Sequence, residues 1–383
     1  VQLRFGPMEE TKDPLVVGRV NQARILPQWL LQLLMLFLFL CFTFPLASIY
    51  MIKHFGFQSL VNPSLQPCKN EESINLEPWI KPPSKMLHTM SDKELFRRAS
   101  LASRIKEYPF KRVPKIAFMF LTKGQLPFAP LWERFFKGQE RLYSIYIHSL
   151  PPFRADYPPS SVFYKRQIPS QVAEWGEISI TDAERRLLAN ALLDISNEWF
   201  VLLSESCIPF YNFTVIYNYI VRSNYSFVNA FDDPGPHGRG RYNNNMEPEV
   251  NITQWRKGSQ WFEVNRKLAL YIVEDTKFYP KFAKFCKPAC YADEHYFATM
   301  LTIQAPNLLA NRSITWVDWS RGGAHPVMFG KTDITEGLMK RMLEGDICSY
   351  NDRNTSMCFL FARKFAPSAL EPLLLLAPKY LGF

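Results

Sequence analysis

The 383-residue chain has no long block of lysine or arginine, although its formal net charge is +10. A spread of positive residues excludes one concentrated polyanion-binding stretch. It leaves open a basic surface facing nucleic acid, anionic lipid or a phosphorylated small substrate. No Asp-x-Asp occurs anywhere, which removes one common carboxylate pair for holding a divalent cation beside a phosphate. Cys286 and Cys290 have a spacing zinc tolerates, but no matching Cys or His pair completes a four-ligand set. Neither an internal repeat nor a low-complexity block is present, so the pattern is not that of a solenoid.

One apolar run stands out. Residues 30–52 carry no charge, and a helix of that length crosses a hydrocarbon core of ~30 Å. Pro45 kinks such a helix without forbidding it. Arg19 and Arg24 precede the run and Lys53 follows it; the bias predicts a cytoplasmic tail over 1–29 and a signal anchor over 30–52. A cleaved signal peptide is the competing reading, and either one takes the bulk of the chain out of the cytosol. Beyond the run lie acceptor sequons at Asn212, Asn224, Asn251, Asn311 and Asn354, and six cysteines. In an oxidising lumen these cysteines suggest disulfides, with the connectivity open. The run at 373–376 is too short to span a bilayer.

Residues 53–114 are rich in proline and polar residues, the composition of a stem, and within them Ser91 and Glu94 form a capping-box pattern that predicts a helix over 91–105. From 115 to 383 the pattern becomes that of a folded domain. Apolar runs at 115–122, 142–148 and 199–203 read as buried strands, with helices between them at 131–136 and 181–195. Thr181 and Glu184 supply a second capping-box pattern. Further strands are expected at 226–231 and 314–319, and helices at 265–273 and 335–343. Strand, helix, strand at these spacings predicts an α/β fold with a mostly parallel central sheet.

The residues that carry chemistry fall at the expected strand and helix ends. Asp293 and Glu294 open an amphipathic helix whose apolar face is Tyr296, Phe297, Met300 and Leu301. Acids complement a helix start, and Glu294 is also placed to act as a general base at a cleft rim. Glu205 and Ser206 follow the 199–203 strand, where ligands bind in open α/β sheets. Arg239 and Arg241 sit in a Gly/Pro-rich loop and are candidates for phosphate oxygens. Gly258 and Ser259 centre a turn, and Arg363 with Lys364 stand beside aromatics, with Lys364 the candidate for a diphosphate.

Taken in order, WFVLLSESCIPF, KGSQWFEVNR, YADEHYFATML, ITWVDWSRGGAHP and FARKF resemble the core-2/I-branching β-1,6-N-acetylglucosaminyltransferase family, most closely its plant branch, over roughly residues 115–365. The resemblance implies a GT-A-like nucleotide-sugar fold, an inverting reaction and no metal cofactor. It implies a UDP-sugar donor, with N-acetylglucosamine as the expected sugar, and a glycan or glycoprotein acceptor. By motif, Glu294 matches the catalytic base, Trp319 an aromatic of the acceptor site beside Asp293, and Lys364 the lysine on the donor diphosphate. Arg321 and Lys331 are candidates for a second basic residue. Leu150 and Cys207 stand where animal members carry acids, which leaves donor and acceptor identity open. The layout implied is a single-pass type II Golgi membrane protein with a luminal domain and no nucleic-acid partner. The competing functional reading is a luminal carbohydrate-binding or scaffold protein with a degenerate site.

Overall fold

The computed structural model describes residues 28–54, 86–102, 112–344 and 347–383. The chain divides into two units, Val1–Ile74 and Asn75–Phe383. In the first unit, α1 (Gln28–His54) is a 27-residue helix containing Pro45. Its 28–45 stretch is long and apolar enough to cross a membrane, and none of it is buried. The tail over 1–27 and most of the expected stem lie outside the described residues.

The second unit runs α2 (Asp92–Ala102), β1 (Lys115–Thr122), α3 (Ala129–Phe136), β2 (Tyr143–Ser149), α4 (Ile178–Leu192), β3 (Asn197–Ser204), β4 (Ile208–Pro209), α5 (Phe213–Val221), β5 (Glu263–Asn265), α6 (Arg266–Glu274), α7 (Tyr279–Phe285), α8 (Ala292–Gln304), β6 (Thr315–Val317), α9 (Glu336–Leu343), β7 (Cys348–Tyr350), β8 (Arg353–Thr355), β9 (Phe361–Arg363) and α10 (Leu370–Tyr380). The main sheet has the order β2-β1-β3-β5. β1 pairs in parallel with both neighbours, and β5 runs antiparallel to β3. A mostly parallel sheet with crossover helices is the architecture expected from the spacing.

β1 is buried on both faces, and its alternating side chains feed two separate cores. Ile116, Phe118 and Phe120 point to the side of Trp132, Phe135 and Phe213. Ala117 and Met119 point to the side of Leu95, Leu187, Leu188 and Tyr296. The first face is built from aromatic edges, with Phe118 4.9 Å from Phe136 and 6.2 Å from Trp132. On the second face the small Ala117 side chain suits the aliphatic packing of α4, which buries Leu187, Leu188 and Ala191.

Several sequence expectations need correction. α2 begins after Ser91, whose Oγ accepts from the Glu94 N–H at 3.3 Å, as the capping pattern predicts. It is not stem, however. Leu95 and Ala99 are buried in the second core, and Arg186 grips both Asp92 oxygens at 2.7 Å. α4 starts at Ile178, so the Thr181–Glu184 pattern does not cap it. Both side chains are fully buried instead, because the apolar face runs a turn further towards the N-terminus than the pattern suggested. The 226–231 run is not a strand: Ser226, Phe227 and Phe231 bridge to Leu309, Glu263 and Lys257, three different partners that build no ladder. By contrast Asn265 and Thr335 cap α6 and α9 with their side chains, where those helices were expected.

A smaller sheet of order β4-β9-β6 stands beside the carboxyl end of β3. The loop after β9 is tied there by the Phe365 N–H donating to the Ser206 carbonyl at 3.1 Å. Disulfides join Cys286 to Cys290 and Cys348 to Cys358. Cys207 is a buried free thiol, and Cys68 lies outside the described residues. Among the sequons, Asn224, Asn311 and Asn354 are exposed, whereas Asn212 and Asn251 are half-buried. Asn212 spends its Oδ1 capping α5, and Asn251 accepts from Thr253 and Gln254.

Glu263 opens β5 with its carboxyl fully buried. Thr315 offers one long hydrogen bond of 3.4 Å, and Oε2 has no partner among the described residues. Burial therefore pushes the carboxyl up to about 8. The native state holds a proton that the unfolded chain releases near its ordinary value of 4.5. Stability from this group is thus complete below that value and is lost as pH rises through about 8. Glu263→Gln keeps the shape without the ionisation. Melting temperature plotted from about pH 6 to pH 9 should fall less steeply in Glu263→Gln than in the parent, and an equal slope would show that Glu263 does not titrate in this window.

Candidate functional site

The carboxyl ends of β1, β2 and β3 open into a cleft of about 1030 Å³, closed on its other sides by the 257–261 turn, the start of α8, and the residues after β6 and β9. This is where a parallel sheet leaves room for ligand, because the crossover connections diverge there.

The start of α8 supplies the acids. Tyr291 takes a left-handed conformation at φ 57 and its carbonyl accepts the Glu294 N–H at 2.9 Å. This turn sends consecutive carboxyls in different directions. Asp293 turns inward and is only 3% exposed, with Oδ1 lacking a partner among the described residues. Burial, reinforced by the Glu294 carboxylate, pushes its carboxyl up to about 7. Deeper still, the Glu184 carboxyl is fully buried, accepts from Gln260 at 2.8 Å, and is raised well above its ordinary value by burial and then by Asp293. Glu294 faces the cleft, and its Oε2 accepts from Arg241 Nη1 at 2.9 Å.

The turn opposite the base is fixed by backbone. Gly258 donates its N–H to the Glu294 carbonyl at 2.8 Å. A Cβ at Gly258 would stand 1.8 Å from the Asn229 carbonyl oxygen and 3.2 Å from Ala298. Only glycine lets this turn lie against α8. Ser259 lines the same wall, and Glu205 and Ser206 line the cleft after β3, where expected.

The cations are arranged differently from the expectation. Lys364 lines the cleft, and its ammonium is pushed down by burial and then by the adjacent Arg363. Arg363 lines it too, its guanidinium 4.1 Å from the Trp261 ring. Its Nε is buried without a partner, and among the described residues it makes no hydrogen bond or ion pair through its side chain. Lys123, directly after β1, is a third cation of the lining. Arg239, Arg321 and Lys331, the sequence candidates, do not line the cleft. Arg239 holds Asp232 at 2.8 and 2.6 Å, Lys331 holds Glu371 at 2.7 Å on an exposed surface, and Arg321 is exposed on the turn after Trp319. Arg241 reaches the cleft but is committed to Glu294.

Trp319 lies on the rim, 52% exposed, in a loop closed by the Val327 N–H donating to the Asp318 carbonyl at 2.8 Å. Trp175 faces it in the lining and touches both Tyr291, at 5.0 Å, and His325, at 4.8 Å. Burial pushes His148 and His295 down to about 4, so both are neutral imidazoles. Sequence reasoning missed Trp175, Tyr291 and Lys123. For Lys123 a signal existed, since a cation immediately after a buried parallel strand sits at the ligand edge.

A family model described as Core-2/I-Branching enzyme matches residues 116–343. The chain is also 38% identical over 301 residues to "Glycosyltransferase BC10" of Oryza sativa subsp. japonica, covering 67% of this chain and 74% of that protein.

The Gly258 contact generates a direct test. Gly258→Ala should cost about 1–3 kcal/mol, because the obstructing atom is backbone and cannot step aside. A lowered melting temperature is expected, together with weaker ligand binding at the cleft, and an unshifted melting curve would show that the turn has room the geometry denies.

Proposed function

Because the chain belongs to the Core-2/I-branching enzyme family and is a glycosyltransferase, we propose that it moves a sugar from a UDP-sugar to a hydroxyl of a glycan or glycoprotein. The sugar is N-acetylglucosamine, the reaction inverts the anomeric centre, and no divalent metal takes part. The observation that carries this reading is the joint presence in one cleft of the Glu294 carboxylate and the Arg363–Lys364 pair. Loss of a nucleoside diphosphate needs positive charge where the negative charge grows, and a cleft sheltered from water makes that charge effective. Among the described residues no carboxylate is bonded to Arg363 to consume its charge.

The steps follow from the chemistry of these groups. Glu294 takes the proton of the acceptor hydroxyl as the oxygen attacks the anomeric carbon from the face opposite the nucleotide. The glycosidic bond forms as the bond to the diphosphate breaks, and Lys364 and Arg363 offset the charge left on the diphosphate. Asp293, whose carboxyl burial pushes up to about 7, serves the acceptor as a hydrogen-bonding group. Trp319 offers an exposed aromatic face to a sugar ring. The fold would be GT-A-like, supported by a parallel sheet whose carboxyl edge forms the site.

For placement, α1 acts as the signal anchor of a type II Golgi protein, followed by a stem and a luminal catalytic domain. Two disulfides fit an oxidising lumen, and the exposed Asn224, Asn311 and Asn354 are the sequons open to glycosylation.

Titrating the protein with UDP and a panel of UDP-sugars, with EDTA and with Mn²⁺, tests this reading through the melting temperature. One UDP-sugar should stabilise it equally in EDTA and in Mn²⁺; stabilisation that appears only with Mn²⁺ would remove the metal-independent mechanism. Glu294→Gln should bind UDP as the parent does and lose about 10²–10⁴-fold in turnover. Lys364→Ala should instead weaken UDP binding, and a parental UDP affinity in that variant would remove the lysine from the diphosphate site.

A further inference from the structure

Arg241 is the cation nearest the catalytic carboxylate, yet its surroundings are wrong for a phosphate ligand. One Nη donates to Glu294 Oε2 at 2.9 Å, and the guanidinium lies 4.0 Å from the centre of the Tyr291 ring. Leaving for a diphosphate would cost both contacts. The backbone that carries Arg241 is also fastened. Arg239 donates its N–H to the Asp233 carbonyl at 2.7 Å, Trp255 Nε1 donates to the Gly238 carbonyl at 3.1 Å, and Lys257 pairs with Asp233 at 3.6 Å. A Cβ at Gly238 would stand 2.2 Å from the Asp233 carbonyl oxygen, so the loop has no slack at its tightest point.

Tyr291 is held as firmly. It opens α8 in the left-handed region, and its ring rests over Gly176, where a Cβ would come within 3.4 Å, and against the edge of Trp175 at 5.0 Å. Trp175, Tyr291, Arg241 and Glu294 thus form one contact chain from the rim of the cleft to the base. A glutamate side chain has three rotatable bonds, and an unrestrained one spreads over several rotamers. The planar guanidinium fork removes that freedom by holding one oxygen in a defined direction, with the aromatic face keeping the fork flat.

We propose that Arg241 is a positioning residue of the transfer reaction, clamped by Tyr291, that occupies Oε2 of Glu294 so that Oε1 alone is presented to the acceptor hydroxyl. This rests on the glycosyltransferase reading and deepens it: the residue acts through Glu294 and makes no contact with the donor.

The test uses the full-length chain in detergent, with UDP release from UDP-N-acetylglucosamine and from the other UDP-sugars, each with a panel of oligosaccharide and glycoprotein acceptors and with water alone, as the rate assay, and UDP affinity measured by calorimetry. Arg241→Ala should lower kcat about ten- to hundredfold with KM for the UDP-sugar and Kd for UDP unchanged. Added guanidinium at millimolar concentration should restore part of that kcat. Arg241→Lys should keep more activity than Arg241→Ala, and Tyr291→Leu should lose less than Arg241→Ala, in kcat alone. The proposal is overturned if Arg241→Ala weakens UDP binding tenfold, which would place Arg241 on the diphosphate. Parental kcat in Arg241→Ala overturns it as well, and so does a kcat loss that neither guanidinium nor lysine repairs, since that marks a purely structural role. A parent protein that releases UDP from no UDP-sugar overturns the transferase reading itself, and this inference with it; the other outcomes leave that reading standing.

Discussion

Burial of β1 on both faces is the constraint from which the rest of the second unit follows. A parallel strand flanked by parallel neighbours cannot turn either face to water when every connection must cross over the sheet. Aromatic rings take the Phe118 side and small or flexible aliphatics take the Ala117 side. The crossovers return to the amino edge, so the carboxyl ends of β1, β2 and β3 are left to loops alone. Thr122, His148 and Ser204 therefore meet in the cleft lining although about 80 residues of chain separate the first from the last. The small β4-β9-β6 sheet then brings a distant segment to the same edge, and Arg363 with Lys364 arrives on it.

Burial suppresses the charge of several groups in the cleft lining and just behind it. His148 and His295 are pushed down to about 4, Asp293 is pushed up to about 7, and Glu184 lies well above its ordinary value. The other charged side chains of the lining are Glu294 paired with Arg241, Lys257 paired with Asp233 from outside the lining, and the cations Arg363, Lys364 and Lys123 with Glu205. The first two are internal pairs. The third group has more positive than negative charge, and the adjacent Arg363 and Lys364 disfavour one another's charge. An anion that enters this corner relieves that repulsion, which is the electrostatic basis for placing a diphosphate there.

What could be read from the sequence divides along local and nonlocal lines. The buried strands at 115–122 and 199–203 were legible because a parallel strand covered on both faces must be a continuous apolar run. The helices over 265–273 and 335–343 were legible because their starts are fixed locally, where the Asn265 and Thr335 side chains cap near neighbours in the chain. Glu294 was legible because the helix period after it fixed the first turn. The failures are contacts made far along the chain. Thr181 and Glu184 form the same local pattern as a capping box, yet α4 continues past them because its buried face does, a tertiary fact. Lys331 and Arg239 were as basic as Lys364; only the fold shows that Glu371 and Asp232 take up their charge. The helix over 91–105 was legible but was read as part of the stem for the same reason, since the burial of Leu95 and Ala99 depends on contacts far along the chain.

Asp293 and Glu294 show how little geometry is needed to give two adjacent carboxyls different chemistry. Successive residues of a helix point about 100° apart. At the start of α8 that rotation sets Asp293 in a buried part of the cleft lining beside Glu184, and Glu294 against Arg241. The first direction removes water, and the neighbouring Glu294 carboxylate adds to that effect, so the Asp293 carboxyl is pushed up to about 7. The second supplies a guanidinium that bonds the ionised form. A proton acceptor and a carboxyl that keeps its proton to far higher pH than an ordinary aspartate therefore stand side by side on one helical turn. The Gly258 N–H, bonded to the Glu294 carbonyl, fixes that turn against the wall of the cleft, so the two roles cannot be exchanged by a rotation of the helix.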